Sequence, residues 1–477
     1  MYSTKAEILE ELSAIVGAGN VDSKIVSPEG CLYVYLYGHE HHMPTIVVRP
    51  KSAIEVSRVV RFANNNRIQL VPWGGGTNRY SGGFVAPERA IVLCTQRLNK
   101  IISRDFTRSV VTVQAGLTVA EINRELSRNG LWWPHDPESK IHATIGGCIS
   151  VNGIGTYATR FGTAAEMVRA LKIVLPSGEI ASLGSKVRHS LVSRSLVDLL
   201  GCSEGTLALV VEATLKVEEM PKKIKHALVV FDNISGAVAA SLRIFGSGLN
   251  PDALIIEDTD RFCNAVADID PSKLETAQNL MSSDSAALAM AFSGSSRVVD
   301  FSLSEAIRQC SREGGELIKN SSLGKTWWKS KTESLTGVPL TMGQNPAVKV
   351  GLADVAVPIM AVPLVQREFT NSMTVFGLSP RGVRCYLRSD GDALMRLAVS
   401  FDASHAEQEF NYKDWVCRIS ELAFKAGGTM SSSVGCGLRL ARCVGDELGD
   451  AGPILSLIKR SIDQNNIMNP GKKLPSS

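Results

Sequence analysis

The chain has 477 residues, more than one hydrophobic core usually serves, so we expect at least two domains. Its 44% hydrophobic and 21% charged residues are typical of an ordinary globular protein. A net charge of +4 with no Lys/Arg-rich run argues against a nucleic-acid-binding protein.

The chain begins with an amphipathic segment, residues 6–16, which lacks the apolar core of a signal peptide. No apolar run reaches membrane-spanning length. We therefore expect a cytoplasmic protein, at most peripheral to the inner face of a membrane. The ten cysteines contain no CxxC spacing, which argues against a zinc site or an internal iron–sulfur cluster.

A strand–helix–strand unit follows. We expect a strand over 45–50, a helix over 52–64 with Ser52 as its N-cap, and a strand over 69–71. The last strand runs into the glycine-rich stretch 72–83. Exposed backbone N–H groups in such a stretch form an anion-binding nest, which fits a diphosphate. Because the stretch matches neither GxGxxG nor the Walker A pattern, an ordinary hairpin loop explains it equally well when it is taken alone.

Two more stretches rich in small residues lie further on. The first covers 134–155 and contains PHDPES followed by TIGGCISVNGIG; the second covers 198–207 and contains GCSEGTL. Both stretches are typical of loops, in which a ligand could lie directly against the backbone because the side chains are small. From about residue 219 to 422 the pattern changes to alternating strands and helices, including a hairpin near 384–387 and 394–401.

The motifs GGGTNxxxGG, PxDPxS…TIGGxIxxNGxG, PSGE and GCSEGTL occur in this order, and IMNPGK follows near the C-terminus. Together they resemble the FAD-binding domain of the VAO/PCMH flavoproteins, in the branch of the glycolate oxidase large subunit and D-lactate dehydrogenase. The resemblance implies an α+β fold: a PCMH-type FAD-binding domain of two α/β subdomains over 1–218, an antiparallel substrate-cap domain over 219–422, and a segment 423–477 that packs back on the FAD domain.

The resemblance also implies which residues bind FAD. Residues 74–78 are expected to bind the pyrophosphate, the segment 144–155 the ribityl and isoalloxazine region, and residues 205–206 the adenosine half. The complete set is Pro72, Gly74, Gly75, Gly76, Thr77, Asn78, Gly82, Pro137, Thr144, Gly146, Gly147, Asn152, Gly155, Gly205, Thr206 and Asn469. Since residues 74–83 contain no His or Cys, we expect the FAD to be non-covalent.

The catalytic motifs depart from the family pattern. Where relatives have GHxGDGNxH, this chain places Leu387 and Leu394 at the metal-binding histidine positions. Where relatives have GGxxxxEHGxG, Ser433 and Val434 replace the Glu-His pair. Leu cannot bind a metal and Val cannot accept a proton, so we expect no metal, and the usual histidine base is missing.

Other residues are then candidates for the catalytic roles. Our candidates for catalytic residues are Arg439, Lys331 and Tyr386. Further cations that could bind an anionic substrate are Lys329, Arg384, Arg388 and Arg396. Each of these charges, taken singly, is more typical of a solvated surface. His135 lies in the flavin segment, where a structural role is more typical than a catalytic one.

The sequence predicts an FAD-dependent dehydrogenase that oxidises a small 2-hydroxy acid, such as glycolate or D-lactate, by hydride transfer to flavin N5. Electrons would pass to a partner, such as an iron–sulfur or electron-transfer subunit, within a homo- or hetero-oligomer. Two alternatives stay open: a flavoenzyme with an altered substrate and base, and an FAD-retaining, non-catalytic subunit of a glycolate-oxidase-like complex.

Overall fold

The computed structural model of the protein describes residues 4–23, 46–78, 90–187, 193–332, 347–441 and 443–473. The predicted FAD ligand Gly82 lies outside these ranges. The described α-helices are Lys5–Val16 (α1), Ala53–Asn65 (α2), Val119–Ser127 (α3), Ile145–Ser150 (α4), Ala158–Phe161 (α5), Arg194–Gly201 (α6), Ile234–Gly246 (α7), Thr259–Ala267 (α8), Leu274–Gln278 (α9), Ser296–Arg312 (α10), Ser321–Thr332 (α11), Val362–Phe376 (α12), Ala406–Lys425 (α13), Gly445–Leu448 (α14) and Ala451–Ile462 (α15). None of them is long and apolar enough to span a membrane.

The first sheet is built from the strand–helix–strand unit that the sequence predicted. It has the order β1-β2-β4-β3, with strands Val21–Asp22 (β1), Ile46–Val48 (β2), Leu70–Trp73 (β3) and Ile91–Cys94 (β4). Strands β2, β3 and β4 are parallel, so α2 forms the crossover between β2 and β3. Ser52 caps α2 by accepting the Glu55 N–H, as expected. The glycine-rich stretch therefore begins at the carboxyl end of β3, at one edge of a buried sheet.

The second sheet is antiparallel and has the order β5-β6-β10-β8-β9. Its strands, together with the small β7–β11 pair, are Ile101–Asp105 (β5), Val110–Gln114 (β6), Leu131–Trp132 (β7), Val168–Val174 (β8), Ile180–Gly184 (β9), Leu209–Lys216 (β10) and Glu218–Glu219 (β11). Helix α4 packs against β10, inside the segment for which the sequence predicted only loops. That prediction was wrong for 145–150, because Thr144 caps the helix and its glycines allow close packing.

The third sheet is antiparallel and has the order β15-β12-β14-β13-β17-β18-β16. Its strands are Lys223–Phe231 (β12), Ala253–Asp258 (β13), Ala286–Gly294 (β14), Glu316–Leu317 (β15), Val348–Pro358 (β16), Ser379–Leu387 (β17) and Asp392–Asp402 (β18). One face packs on α7, α10, α12 and α13 around a large apolar core. The other face is turned toward the FAD-side sheets. The α+β architecture with an antiparallel cap sheet and the hairpin β17–β18 is thus confirmed.

The segment after α13 connects both halves. Thr429 forms a bridge with Ala356 of the cap sheet, and Met468 forms a parallel bridge with Leu70 of β3. Asp463 holds the second connection, because its buried carboxylate accepts the N–H groups of Ile467 at 3.0 Å and Met468 at 2.8 Å. The division at residues 218/219 and 422/423 stays a prediction.

We expect Asp463→Ala to destabilise the protein by about 3 kcal/mol, since it leaves two buried N–H groups and the Lys459 ammonium without their acceptor. The measurement is the urea midpoint followed by tryptophan fluorescence. The matched control is Asp450→Ala at the other end of α15, where the carboxylate is exposed and makes no cap bond. Equal midpoints for the two variants would contradict the role of Asp463.

Candidate active site

A deep cleft separates the FAD-side sheets from the open face of the cap sheet. It holds about 2000 Å³ of empty space, a volume that includes the open solvent at its mouth. Eleven of the predicted FAD-binding residues line it: Pro72, Gly74, Gly75, Gly76, Thr77, Asn78, Pro137, Thr144, Gly146, Gly147 and Gly205, and Asn469 does so as a twelfth. The cleft is therefore long enough for an extended ligand.

The glycine-rich stretch forms one wall. A Cβ on Gly75 would lie 1.7 Å from the carbonyl oxygen of His142, and one on Gly74 would lie 2.3 Å from the Thr144 Oγ1. Gly76 has φ +68°, a conformation that favours glycine. The absence of side chains here lets the loop pack directly on the 142–147 segment, so that two bare backbones face the cleft together.

Helix α4 forms the adjoining wall. Its N-cap Thr144 accepts the Gly147 N–H at 3.3 Å. A Cβ on Gly146 would come within 2.8 Å of the Ala115 Cβ, so glycine allows α4 to lie against the strand that precedes it. Thr144, Gly146 and Gly147 thereby line the cleft from a fixed position.

The third wall comes from the 204–205 turn and the C-terminal segment. A Cβ on Gly205, which has φ +71°, would come within 2.5 Å of the Pro72 ring. The Asn469 amide donates to the Glu204 carbonyl at 2.6 Å, and the Asn78 amide donates to the Val434 carbonyl at 2.7 Å. The Asn78 Oδ1 is buried without a partner among the described residues.

Three predicted FAD ligands do not line the cleft. Asn152, at φ 50°, accepts the Ala165 N–H, and a Cβ on Gly155 would meet the Asp136 backbone N at 2.5 Å. The Thr206 hydroxyl is buried and donates to the Ser203 carbonyl. These residues shape the turns behind the cleft, and their contact with the cofactor stays a prediction.

Four charged residues stand side by side on the cap sheet. Glu257 pairs with Arg384, Arg384 with Arg396, and Arg396 with Asp354, in register across β13, β17, β18 and β16. We call these four residues the central charged row. Arg384 also hydrogen-bonds Glu138 of the FAD side, so the row reaches across the cleft. The Nη2 of Arg384 and the Nε of Arg396 are buried and have no hydrogen-bond partner among the described residues.

The interpretation of the cap cations as solvated surface charges is wrong for Lys331 and Arg384. Lys331 is fully buried, donates to Glu257 at 3.0 Å, and lies 4.5 Å from the Trp327 ring centroid. Desolvation lowers the pKa of Lys331, although Glu257 opposes the shift. Arg384 is 2% exposed and binds Glu257 as well. The row thus depends on a buried ion cluster rather than on surface charge.

The three selected catalytic candidates lie behind the cleft wall. Lys331 joins the ion cluster. Arg439 donates to the Leu352 carbonyl, while its Nε and Nη2 have no hydrogen-bond partner in the described part of the chain. Tyr386 is 2% exposed, with the Arg396 guanidinium 5.5 Å from its ring centroid. Burial alone would raise the pKa of Tyr386, but Arg384, Arg396 and neighbouring cations hold it below its usual value. Their catalytic roles stay predictions.

The cleft is also lined by His135, whose role stays a prediction, and by residues that were not selected from the sequence: Glu138, Glu204, Arg261, Asp268 and Arg381. Glu204 lies directly before Gly205 in GCSEGTL, and Glu138 directly after Pro137 in PHDPES, so both motifs were usable signals. Arg261, Asp268 and Arg381 lie far from the flavin motifs in the chain, and no local spacing reports that they reach the cleft.

Within the described ranges, no three His, Cys, Asp or Glu side chains are grouped as a metal site requires. Leu387 and Leu394 are both buried in apolar clusters.

Comparison with known proteins identifies the family. Residues 44–184 match the family model described as FAD binding domain, and residues 220–473 match FAD linked oxidases, C-terminal domain. The chain belongs to the FAD-linked oxidases. It is 28% identical to D-lactate dehydrogenase of Anaerostipes hadrus over 90% of this chain and 89% of that protein, and 26% identical to glycolate oxidase subunit GlcD of Bacillus subtilis over 98% and 96%.

Solved structures agree at the level of the fold. A p-cresol methylhydroxylase superposes with a TM-score of 0.78 at 16% identity, covering 99% of this chain and 98% of that chain. An alkyldihydroxyacetonephosphate synthase superposes with a TM-score of 0.73 at 19% identity, covering 98% and 86%. The predicted VAO/PCMH fold and the FAD cofactor are confirmed.

The cleft suits this cofactor. Gly74, Gly75 and Gly205 leave backbone where a side chain would fill the space, and Asn78 presents an unpaired acceptor there. An FAD-linked oxidoreductase of the D-lactate dehydrogenase and glycolate oxidase family would hold the dinucleotide along these walls, with the cap sheet covering its reactive end.

We expect Gly75→Ala to weaken FAD binding by about 1–3 kcal/mol, roughly 5- to 150-fold, because the new methyl group overlaps the His142 carbonyl and shifts the loop. The measurement is flavin content after purification and the dissociation constant from fluorescence titration. Gly246→Ala at the end of α7, where a Cβ meets nothing within 4 Å, is the control. Full flavin retention by G75A would contradict the assignment of this loop.

Proposed function

We propose that the protein is an FAD-dependent dehydrogenase that oxidises a small 2-hydroxy acid, of the size of glycolate or D-lactate, and passes the electrons to a separate protein acceptor. One observation carries the substrate assignment: Arg384 and Arg396 line the cleft, and the Nη2 of Arg384 and the Nε of Arg396 are buried without a hydrogen-bond partner among the described residues. The names of the relatives support the same chemical class.

Unpaired buried donors have a cost that a bound anion removes. Each one costs about 1–3 kcal/mol when unsatisfied, and more when it carries charge. A carboxylate accepts two hydrogen bonds from guanidinium groups, and such charge-assisted bonds are among the strongest in proteins. The two arginines face each other in register on β17 and β18, which favours one carboxylate held between them.

FAD, when bound, supplies the acceptor for the substrate's α-hydrogen and its electron pair. The chain's own residues orient the substrate and enclose it. Arg384 is fixed by Glu257 and Glu138 and cannot swing away, and Arg396 is held near Asp354 and Ser433. A carboxylate bound there has one orientation, which is what hydride transfer from the neighbouring carbon requires.

A protein acceptor is proposed because no strand is followed by a GxGxxG nucleotide motif that would bind NAD. Relatives that are named D-lactate dehydrogenase [cytochrome] support a protein as the electron acceptor. We also propose a cytoplasmic location, with the acceptor at or near the membrane. The substituted Ser433–Val434 pair favours one competing proposal, an FAD-retaining subunit that lacks activity by itself.

The deciding test is anaerobic mixing of the purified yellow protein with glycolate, D-lactate, L-lactate and D-2-hydroxyglutarate, followed by absorbance. Bleaching of the flavin band by one of the acids supports the dehydrogenase. A flavin that dithionite reduces but none of the acids reduces would overturn it in favour of the non-catalytic subunit.

We expect Arg396→Gln to lower the second-order rate of flavin reduction by about 100-fold, since one charge-assisted hydrogen bond to the carboxylate is lost (~3 kcal/mol). FAD content should be unchanged. Arg388→Gln is the matched control, because Arg388 lies close by on the β17–β18 turn but pairs with Glu166 and Asp390 instead of lining the cleft. Equal losses in both variants would contradict the carboxylate role of Arg396.

A further inference from the structure

Oxidation of an alcohol releases a proton as well as a hydride, so the site requires a proton acceptor. At the family's histidine position this chain has Val434, which lines the cleft but cannot accept a proton. The acceptor must be another group that faces the substrate. The requirement for a proton acceptor rests on the proposed function, because it arises only if the substrate is an alcohol.

The cleft offers few uncommitted acceptors. Glu138 is bound by Arg384, and Glu204 accepts the N–H groups of Cys436 and Gly437. Asp268 lies in the field of Arg261 and Arg381. Burial raises the pKa of the Cys148 thiol to about 12, so it stays protonated and cannot accept a proton.

His135 differs from all of them. Its side chain is 1% exposed, it lines the cleft, and neither ring nitrogen has a partner among the described residues. A fully buried imidazole with two unpaired nitrogens is rare, because buried polar groups are nearly always satisfied. Both nitrogens therefore have free hydrogen-bonding capacity next to the cleft.

The surroundings fix the imidazole in place. Trp133 packs on it with the ring centroids 4.9 Å apart, and a Cβ on Gly153 would lie 3.7 Å from its Nε2, so glycine leaves the space beside that nitrogen open. Arg396 lies near enough for its charge to act on the ring. His135 lies on an FAD-side segment and Arg396 on β18 of the cap, and both residues line the cleft.

We propose that His135 is the catalytic proton acceptor for the substrate hydroxyl. Substrate bound through its carboxylate at Arg396 presents the adjacent hydroxyl to an imidazole nitrogen. FAD, when bound, would supply the acceptor for the α-hydrogen and its C–H electron pair, while the O–H proton passes to His135 and the carbon–oxygen bond becomes a carbonyl. The product is a 2-oxo acid, and His135 returns its proton to water when the product leaves.

The electrostatics keep His135 in its accepting form. Desolvation, with a further contribution from the Arg396 charge, lowers the pKa of His135 to about 3. The ring is therefore neutral at physiological pH. A substrate carboxylate on Arg396 offsets one of the two causes, so the proton affinity of the imidazole rises when substrate binds. Within the same segment, Asp136 is paired with Lys140 at 2.8 Å.

The pH dependence of the wild-type protein tests the proposal without any variant. The second-order rate of flavin reduction reports ionisations of the free enzyme. With His135 as acceptor, this rate stays flat between about pH 5 and about pH 9, because the free imidazole is neutral throughout. A rate that rises with pH across this interval would overturn the proposal and point to Tyr386, whose ionised form would then be the acceptor.

The variant His135→Asn keeps a polar side chain but has no basic nitrogen. We expect it to reduce the rate constant for flavin reduction at saturating substrate by about 100- to 10,000-fold, with FAD content and substrate dissociation constant within about twofold of wild type. The residual rate should rise with pH, since hydroxide becomes the acceptor, and added imidazole should restore part of it.

The matched control is His142→Asn in the same segment, whose side chain is exposed. Wild-type protein that no hydroxy acid reduces refutes the proposed function itself. Wild-type protein that is reduced, together with an H135N variant of equal rate and equal pH profile, refutes only the role of His135. A loss of rate in H135N with an unchanged flat pH profile and no imidazole rescue would assign His135 a structural role and also overturn the proposal.

Discussion

The buried carboxylate of Glu257 is the constraint on which the cap depends. It has no access to water, and Lys331, Arg384 and the Trp327 indole donate to it from α11 and β17. A carboxylate buried in this way requires paired cations, and removing one partner of such a cluster typically costs about 3–5 kcal/mol. Arg384 then extends the cluster to Glu138 on the FAD side. This ion cluster therefore links the cap to the FAD side and fixes the orientation of the arginine that lines the cleft.

The loop that lost its Glu-His pair is held just as firmly. Asp354 accepts the N–H groups of residues 432–434, and Glu204 accepts those of residues 436–437. Two carboxylates from opposite halves of the protein thus bind successive parts of one loop. Neither Ser433 nor Val434 offers a basic side chain, yet the backbone of this loop is fixed on both sides of the cleft.

The sequence predicted the FAD side well, because its residues lie in short, contiguous motifs. Glycines that avoid a clash, an N-cap threonine and a strand that ends at a loop all leave short-range signals, and twelve of the proposed FAD residues do line one cleft. The cap residues could not be read in the same way. Glu257 and Arg384 are 127 positions apart, and burial of a charge becomes visible only when its partner is known. Helix α4 escaped prediction because glycine disfavours helices, whereas packing on Ala115 overrides that preference.

The parallel bridge between Leu70 and Met468 joins residues about 400 positions apart, and the Leu70 N–H donates to Ile467 while its carbonyl accepts from Asn469. The first sheet is thus completed by chain that the ribosome makes long after the rest of that sheet. The whole cap lies between Leu70 and Met468 in the sequence. Assembly of the protein cannot proceed one finished domain at a time, because the nucleotide-binding half stays incomplete until the cap has been synthesised. Cofactor loading is then coupled to the last stage of folding, and an early FAD-binding intermediate has no complete wall at Asn469.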